Sequence, residues 1–450
     1  MANGIVTSKD PALSLLQSAA NQYAQSKQTM PASGLMLPDQ HPMVAAAAHF
    51  AAVSGGQTDR MPALSAAAGD AMHCAGLGLA VIKAHLGGDP AAIAAVENVL
   101  KDGTCDPNWA QTILEYTNFI AANGPNAAIP GYKPYTDIGQ FVLPPIPNDA
   151  TIAIVGDWGT GTPPALDLLR SIAARNPDLL IHLGDIYYSG TAAECRDNFL
   201  TPIAQILQAG RAAPVRIVSL SGNHDMYSGG IGYYEMIGEI AQPSSYFALR
   251  TEDGAWQFLA MDTGYSDHDP FNVTDVRVAL TPQEQAWHLD KIGNFSGSTI
   301  LMSHHQLFSS YAAIGPADQG GKRLPYNPNL LASLQAFQAP KPVAAWFWGH
   351  EHSLTLYQPY LGLSVGRCLG HGAVPATPAD NPYAVRPDLT ETPPALINPQ
   401  MALAGDHNAH GYALLKLGGP GGTINVDYYS MASPDAPIFS EVIAPVGAGV

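Results

Sequence analysis

The sequence predicts an α/β fold of two packed β-sheets flanked by helices, with an additional all-helical region at its N-terminal side. Three observations predict it. Beyond residue 150, short apolar runs alternate with helix signals and loops. Residues 1–125 carry apolar positions at helical spacing instead. Between the two lies a stretch dense in Pro and Gly.

In the first region, Leu13, Leu16, Ala20 and Tyr23 fall on one helical face, and Lys27 can lay its stem along it. Asp10-Pro11, Asp89-Pro90 and Asp106-Pro107 each read as a capping Asp followed by Pro at the first helical position. The spacing of His41, His49, His73 and His85 does not suit a metal. Amphipathic helices must bury their apolar face. This region is therefore expected to cap the rest of the chain or to mediate oligomerisation.

Residues 126–150 read as a linker, marked by Pro130-Gly131 and Pro144-Pro145-Ile146-Pro147. Residues 151–435 read as the catalytic unit and 436–450 as a tail. Apolar runs at 152–155, 179–183, 217–220, 258–261 and 300–302 predict buried strands, as do 363–365, 412–417 and 424–429. Thr281-Pro282-Gln283-Glu284 reads as a capping box opening a helix. Residues 372–400, rich in Pro, Asp and Asn, read as a long loop, either a functional lid or a loose insertion.

Composition narrows the partners. Hydrophobic residues make up 46% and charged residues 13%, enough apolar matter for a large core. A net charge of −17 gives no electrostatic footprint for nucleic acid or an anionic membrane, so neither is an expected partner. An anionic substrate then needs a local positive centre. Cys74, Cys105, Cys195 and Cys368 form no C-x-x-C pair and read as buried thiols, with a Cys74–Cys105 bridge the alternative. The first residues lack a signal-peptide pattern, from which a cytoplasmic location is expected, with signal-independent export the other option.

Five clusters each follow a predicted strand: Gly156-Asp157-Trp158-Gly159, Gly184-Asp185-Ile186-Tyr187-Tyr188, Gly222-Asn223-His224-Asp225, Ser303-His304-His305-Gln306 and Gly349-His350-Glu351-His352. Sites in open α/β sheets form beyond the carboxyl ends of strands. Asp, Asn, His and Tyr offer the oxygen and nitrogen donors that hard and borderline metals take. Two residues apart on an extended segment, His350 and His352 share a face, and one can serve each of two ions.

This ordered series, GD-x-G, GD-x-x-Y, GNH-D, H-H and GH-x-H, resembles the calcineurin-like metallophosphoesterases. Gly159 in place of a first-cluster histidine, and Tyr188 three residues after Asp185, make it most similar to their purple acid phosphatase branch. The resemblance spans residues 151–430 and leaves out the helical region. It implies a four-layer sandwich and two metal ions. Asp157, Tyr188 and His352 would hold ferric iron. Asn223, His304 and His350 would hold a divalent ion (iron, zinc or manganese), with Asp185 bridging. His304 fits the spacing of the fourth cluster better than His305. Relatives carry a proline where Gln306 stands.

The resemblance implies hydrolysis of small phosphorylated substrates, with phosphate monoesters the leading class. In two-metal sites the ions clamp the attacking and leaving oxygens and lower the pKa of water from 15.7 to about 7. His224 would then touch the phosphate or protonate the leaving oxygen, with His305 a second catalytic candidate. A phosphodiesterase or nucleotide pyrophosphatase on the same site is the alternative. A binding protein with a vestigial site is the third reading, against which the full set of ligand types argues. Lys322-Arg323 and the group Asp406, His407, Asn408 and His410 read first as loop residues, while His371 either lines the site or is a satisfied loop histidine.

Overall fold

Alternation along the strands decides which side of each sheet meets which layer. In β1 (Thr151–Val155), Ile152 and Ile154 join one core while Ala153 and Val155 join another. In β2 (Leu179–His182), Leu179 and Ile181 turn to the first core and Leu180 to the second. The two-residue period of a strand sends successive side chains to opposite faces.

The structure is a computed structural model. It describes residue 129 and residues 131–446, except 188, 269–274, 377, 379, 380 and 406. The helical region expected over 1–125, Cys74 and Cys105 lie outside the described residues.

The remaining strands are β3 (Arg216–Ser219), β4 (Phe247–Arg250), β5 (Trp256–Ala260), β6 (Ser298–Met302), β7 (Ala345–Trp348), β8 (Leu354–Tyr357), β9 (Gly366–Leu369), β10 (Leu403–Ala404), β11 (His407–Asn408), β12 (Gly411–Leu417), β13 (Ile424–Ser430) and β14 (Phe439–Ile443). One six-stranded sheet runs β14-β13-β12-β1-β2-β3 and the other β4-β5-β6-β7-β9-β8. Both are mixed. β1, β2 and β3 are parallel, as are β5, β6, β7 and β9, while the outer pairs are antiparallel. The inner faces meet through Ile152, Ile181, Val218, Phe258, Ile300 and Phe347.

Helices cover both outer faces. On the first sheet, α1 (Pro163–Ala174) buries Leu168, Leu169 and Ile172. It starts at Thr162, whose hydroxyl accepts the Ala165 N–H, with Pro163 in its first turn. The very short helix α2 (Asn223–Met226) and α3 (Ile231–Glu239) follow β3. On the second sheet, α4 (Pro282–Gly293) and α5 (Pro328–Gln338) set Trp287, Leu330 and Phe337 against Trp346 and Trp348. The result is helix, sheet, sheet, helix, the predicted two-sheet α/β architecture.

Four local expectations change. Residues 363–365 are not a strand: Tyr360 and Leu363 exchange backbone hydrogen bonds across a turn with Leu361 and Gly362 at positive φ, and β9 begins at Gly366. The stretch read as a tail supplies β14, an edge strand of the first sheet. The stretch read as a linker lies against β4, with Val142 bridging to Ala248 and Ile146 to Thr251. Thr281 caps α4 as expected, but the Glu284 carboxylate does not reach back to it and accepts the Asp262 N–H at 2.8 Å. No helix among the described residues is long and apolar enough to cross a membrane.

Candidate metal centre

Each of the five clusters sits at the carboxyl end of a parallel strand. Asp157 follows β1, Asp185 follows β2, Asn223 and His224 follow β3, His304 and His305 follow β6, and His350 and His352 follow β7. The backbone bends sharply there. Asp157, Asp185 and His350 stand in the left-handed region at φ 57°, 73° and 66°. Non-glycine residues pay about 1–3 kcal/mol for such conformations, which persist where the surroundings over-determine them. Gly222 lets two loops touch, since a Cβ there would collide with Asp185 Oδ1.

The side chains converge. Ligand atoms of Asp157, Asp185 and His304 lie within 4.8 Å of one another, as do those of His304, His305 and His350. His352 Nε2 is 3.5 Å from Asp157 Oδ1. Asn223 Oδ1 is 3.0 Å from both His304 Nε2 and His350 Nδ1. His304 Nε2 is 3.3 Å from Asp185 Oδ2.

Tyr188 lies outside the described residues. Its neighbour Tyr187, which the motif spacing passed over, brings its hydroxyl to 2.9 Å from Asp157 Oδ1, 3.1 Å from Asp185 Oδ2 and 3.1 Å from His352 Nε2. Asp185 Oδ2 thus lies between two sets of donors. Asp157, Tyr187 and His352 form one, and Asn223, His304 and His350 the other.

The donor set fits metal ions. His304 Nδ1 is 3.0 Å from the Leu183 carbonyl, which can only accept, so Nδ1 carries the proton there. In the neutral ring Nε2 is then a lone pair, facing the acceptors Asn223 Oδ1 and Asp185 Oδ2. Tyr187 has one proton for two carboxylate oxygens. A cation between these lone pairs satisfies them together, and oxygen and imidazole donors suit iron, zinc or manganese. The hydrogen bond from Nδ1 to Leu183 is the outer contact that fixes a metal-binding imidazole.

Electrostatics follow from burial and neighbours. Burial opposes charge on Asp185, yet the imidazoles of His304 and His224 hold its carboxyl well below the ordinary range. Burial, reinforced by Asp157 and Asp185, pushes the Tyr187 phenol well above its ordinary value. Burial and the nearby Asp185 charge push the Asp225 carboxyl up to about 7. Asp225 accepts the backbone N–H groups of Gly222 at 2.8 Å and Ile186 at 3.0 Å, tying two clusters together.

The His224 N–H donates to Asp185 Oδ1 at 3.0 Å, and its Nε2 is 4.0 Å from Asp185 Oδ2. Its ring stands between Tyr187 and Tyr227, at centroid distances of 4.7 and 4.9 Å. His305 turns its ring nitrogens to Thr263 and Asp267. Lys322 is exposed. Arg323 gives its guanidinium to the carbonyls of Gly315 and Ile314. His371 is buried with neither ring nitrogen bonded among the described residues, and a Cβ on Gly411 would meet its Nε2 at 2.5 Å.

Residues 150–354 match the model of the calcineurin-like phosphoesterase family. No curated protein matches the chain. Among solved structures it is similar to a purple acid phosphatase from yellow lupin (Lupinus luteus) seeds, at 16% identity and a TM-score of 0.42 over 67% of this chain and 55% of that one. The chain therefore spans about half the length of the lupin enzyme. It is also similar to GAP50, the anchor in the inner membrane complex of Plasmodium, at 13% identity and a TM-score of 0.42 over 66% of this chain and 89% of that one. A protein of Thermus thermophilus matches at 11% identity and a TM-score of 0.30 over 49% of this chain and 91% of that one.

Proposed function

We propose that this protein hydrolyses phosphate monoesters at a two-metal centre, with ferric iron at Asp157, Tyr187 and His352, a divalent ion at Asn223, His304 and His350, and Asp185 shared between them. The observation that supports this reading is the position of Asp185 Oδ2, 3.1 Å from the Tyr187 hydroxyl and 3.3 Å from His304 Nε2. When bound, the ions polarise the phosphoryl group and make water a nucleophile near neutral pH.

The chain's own residues do the rest. Asp185 offsets the positive charge and sets the spacing. His224 holds a proton at Nε2 for the leaving oxygen, and such general acid help contributes ~10²–10⁴-fold. Two tyrosine rings flank its imidazole, and the Asp185 carboxylate holds its backbone N–H. Arg323 is engaged by loop carbonyls, so charge recognition of the phosphate falls to the metal centre and His224.

The test is metal analysis of the purified protein, followed by turnover of an aryl phosphate and a bis-aryl phosphate diester before and after chelation. Two bound metals, with chelator-sensitive turnover of the monoester ahead of the diester, is the expected result. Preference for the diester overturns the monoester assignment. Absence of bound metal and of turnover overturns the enzyme reading.

A further inference from the structure

We infer that Asp267 is a positioning residue of the metal centre: it fixes the His305 ring, and that ring fixes the orientation of His350. The inference rests on the two-metal reading above. His305 Nε2 lies 3.3 Å from Asp267 Oδ2, and Nδ1 lies 3.1 Å from Thr263 Oγ1. The Thr263 hydroxyl also accepts the His305 backbone N–H at 3.1 Å. The ring is therefore gripped at both nitrogens and at its own backbone. Asp267 and His305 are 3% and 1% exposed, so water does not compete for these bonds.

What the gripped ring touches gives it a purpose. Its centroid is 4.4 Å from that of His350, with the planes 40° apart, and 5.0 Å from that of His304, edge to face. His350 needs such a wall. Its backbone stands at φ 66°, a conformation that does not hold itself. Its Nδ1 has to stay near Asn223 Oδ1, 3.0 Å away, and His304 Nε2, 3.2 Å away, for three donors to share one ion.

Asp267 and Thr263 both lie in the loop after β5, the parallel strand of the second sheet that precedes β6 and supplies no ligand. The Asp267 N–H donates to the Gly264 carbonyl at 3.0 Å, which closes this loop into a turn beneath His305. The carboxylate accepts the Nε2 proton, leaving Nδ1 to accept from the Thr263 hydroxyl. That arrangement sets one tautomer and one ring plane. With both nitrogens so used, His305 acts as a shelf for a ligand and not as a proton donor to substrate.

The test titrates metal-stripped protein with Mn²⁺ by calorimetry, with circular dichroism as a control for folding. Wild type is expected to show two binding events. Asp267→Ala should weaken one of them ~10–100-fold, the range measured for outer partners of metal-binding histidines, and leave the other within about twofold. Asp267→Asn keeps an oxygen that can accept the Nε2 proton and should restore most of the loss. His305→Ala should weaken the same event. A folded His305→Ala protein that binds both ions as tightly as wild type overturns the inference, whatever Asp267→Ala does. Equal weakening of both events by Asp267→Ala overturns it too. If wild type itself binds no Mn²⁺ and holds no metal as purified, the two-metal reading fails, and this inference with it. Two normal events in wild type and in both alanine variants sink this inference alone.

Discussion

The Asp225 carboxylate accepts the backbone N–H of Asp185 at 2.9 Å. The bond crosses from the loop after β3 to the loop after β2. With those from Gly222 and Ile186 it makes three bonds to main-chain donors from one buried side chain. Asp185 therefore keeps its left-handed backbone because a residue 40 positions later holds it there.

Loss of that carboxylate should be costly. Asp225→Ala leaves three buried N–H groups without an acceptor, each worth about 1–3 kcal/mol. We predict a loss of at least about 3 kcal/mol in urea-induced unfolding, together with lower metal content. Asp225→Asn retains one carbonyl oxygen and should fall between wild type and Asp225→Ala. A loss under about 1 kcal/mol for the alanine variant contradicts the tie between the two loops.

Colour distinguishes the two neighbouring tyrosines. Phenolate bound to ferric iron absorbs visible light by charge transfer. In iron-loaded, oxidised protein, Tyr187→Phe should abolish the visible band and Tyr188→Phe should keep it if the ligand is Tyr187, whose hydroxyl reaches Asp157, Asp185 and His352. The reverse result returns the phenol ligand to Tyr188. No band in wild type argues for two divalent ions.

The shared carboxylate and the basic pair predict opposite sensitivities. An outer contact of a metal ligand is worth ~10–100-fold, and the shared ligand should be worth more. Asp185→Asn is thus predicted to cut kcat at least about 100-fold and to lower metal content. Lys322→Ala, at an exposed side chain, should stay within about twofold. Comparable losses in the two variants would remove Asp185 from its proposed place.

Stability should fall in acid through buried imidazoles. His288 is fully buried, and burial followed by the Lys291 charge pushes it down to about 3. In the unfolded chain it takes up a proton near 6.5. Below that pH the unfolded state holds more protons, so its contribution, complete above 6.5, is lost as pH falls toward 3. Between pH 6.5 and 4.5 the loss is up to about 2.7 kcal/mol. Glutamine does not titrate. Chemical denaturation should therefore show wild type losing more stability than His288→Gln across that window, and parallel losses would count against it.

Much of this architecture is written in local pattern. The alternation of Ile152, Ala153, Ile154 and Val155 fixes a strand with two covered faces, and glycines beside polar donors mark its functional end. Several strands carried weaker marks. Phe439–Ile443 alternates exposed and half-buried residues at a sheet edge, and such a pattern also suits a tail. Phe247–Arg250, Ala345–Trp348 and Leu354–Tyr357 are as short as β2 and β3 but lack the adjacent branched aliphatic residues that mark those two.

The site divides in the same way. Asp157, Asp185, Asn223, His304, His350 and His352 come from spacing, and the structure brings them together. The approach of the Tyr187 hydroxyl to Asp157 and Asp185 depends on backbone rotation at Gly184 and Asp185, both at positive φ, which residue counting does not see, and Tyr188 lies outside the described residues. Asp267 and Thr263 belong to no motif, because a side chain that acts through another leaves its trace in three dimensions only. Glu284 shows how tertiary contact overrides a local rule: a plausible capping partner turned away to bind Asp262.

The left-handed backbone at Asp157, Asp185 and His350 has an evolutionary consequence. Glycine occupies that region without penalty, so Asp157→Gly would relieve the backbone while removing a proposed ligand and the acceptor of the His350 N–H and the Tyr187 hydroxyl. Backbone conformation and side-chain bonding are thus selected in opposite directions at such positions. A lineage selected on backbone ease alone would favour glycine there, whereas the hydrogen bonds these side chains make to neighbouring loops select for the residues in place.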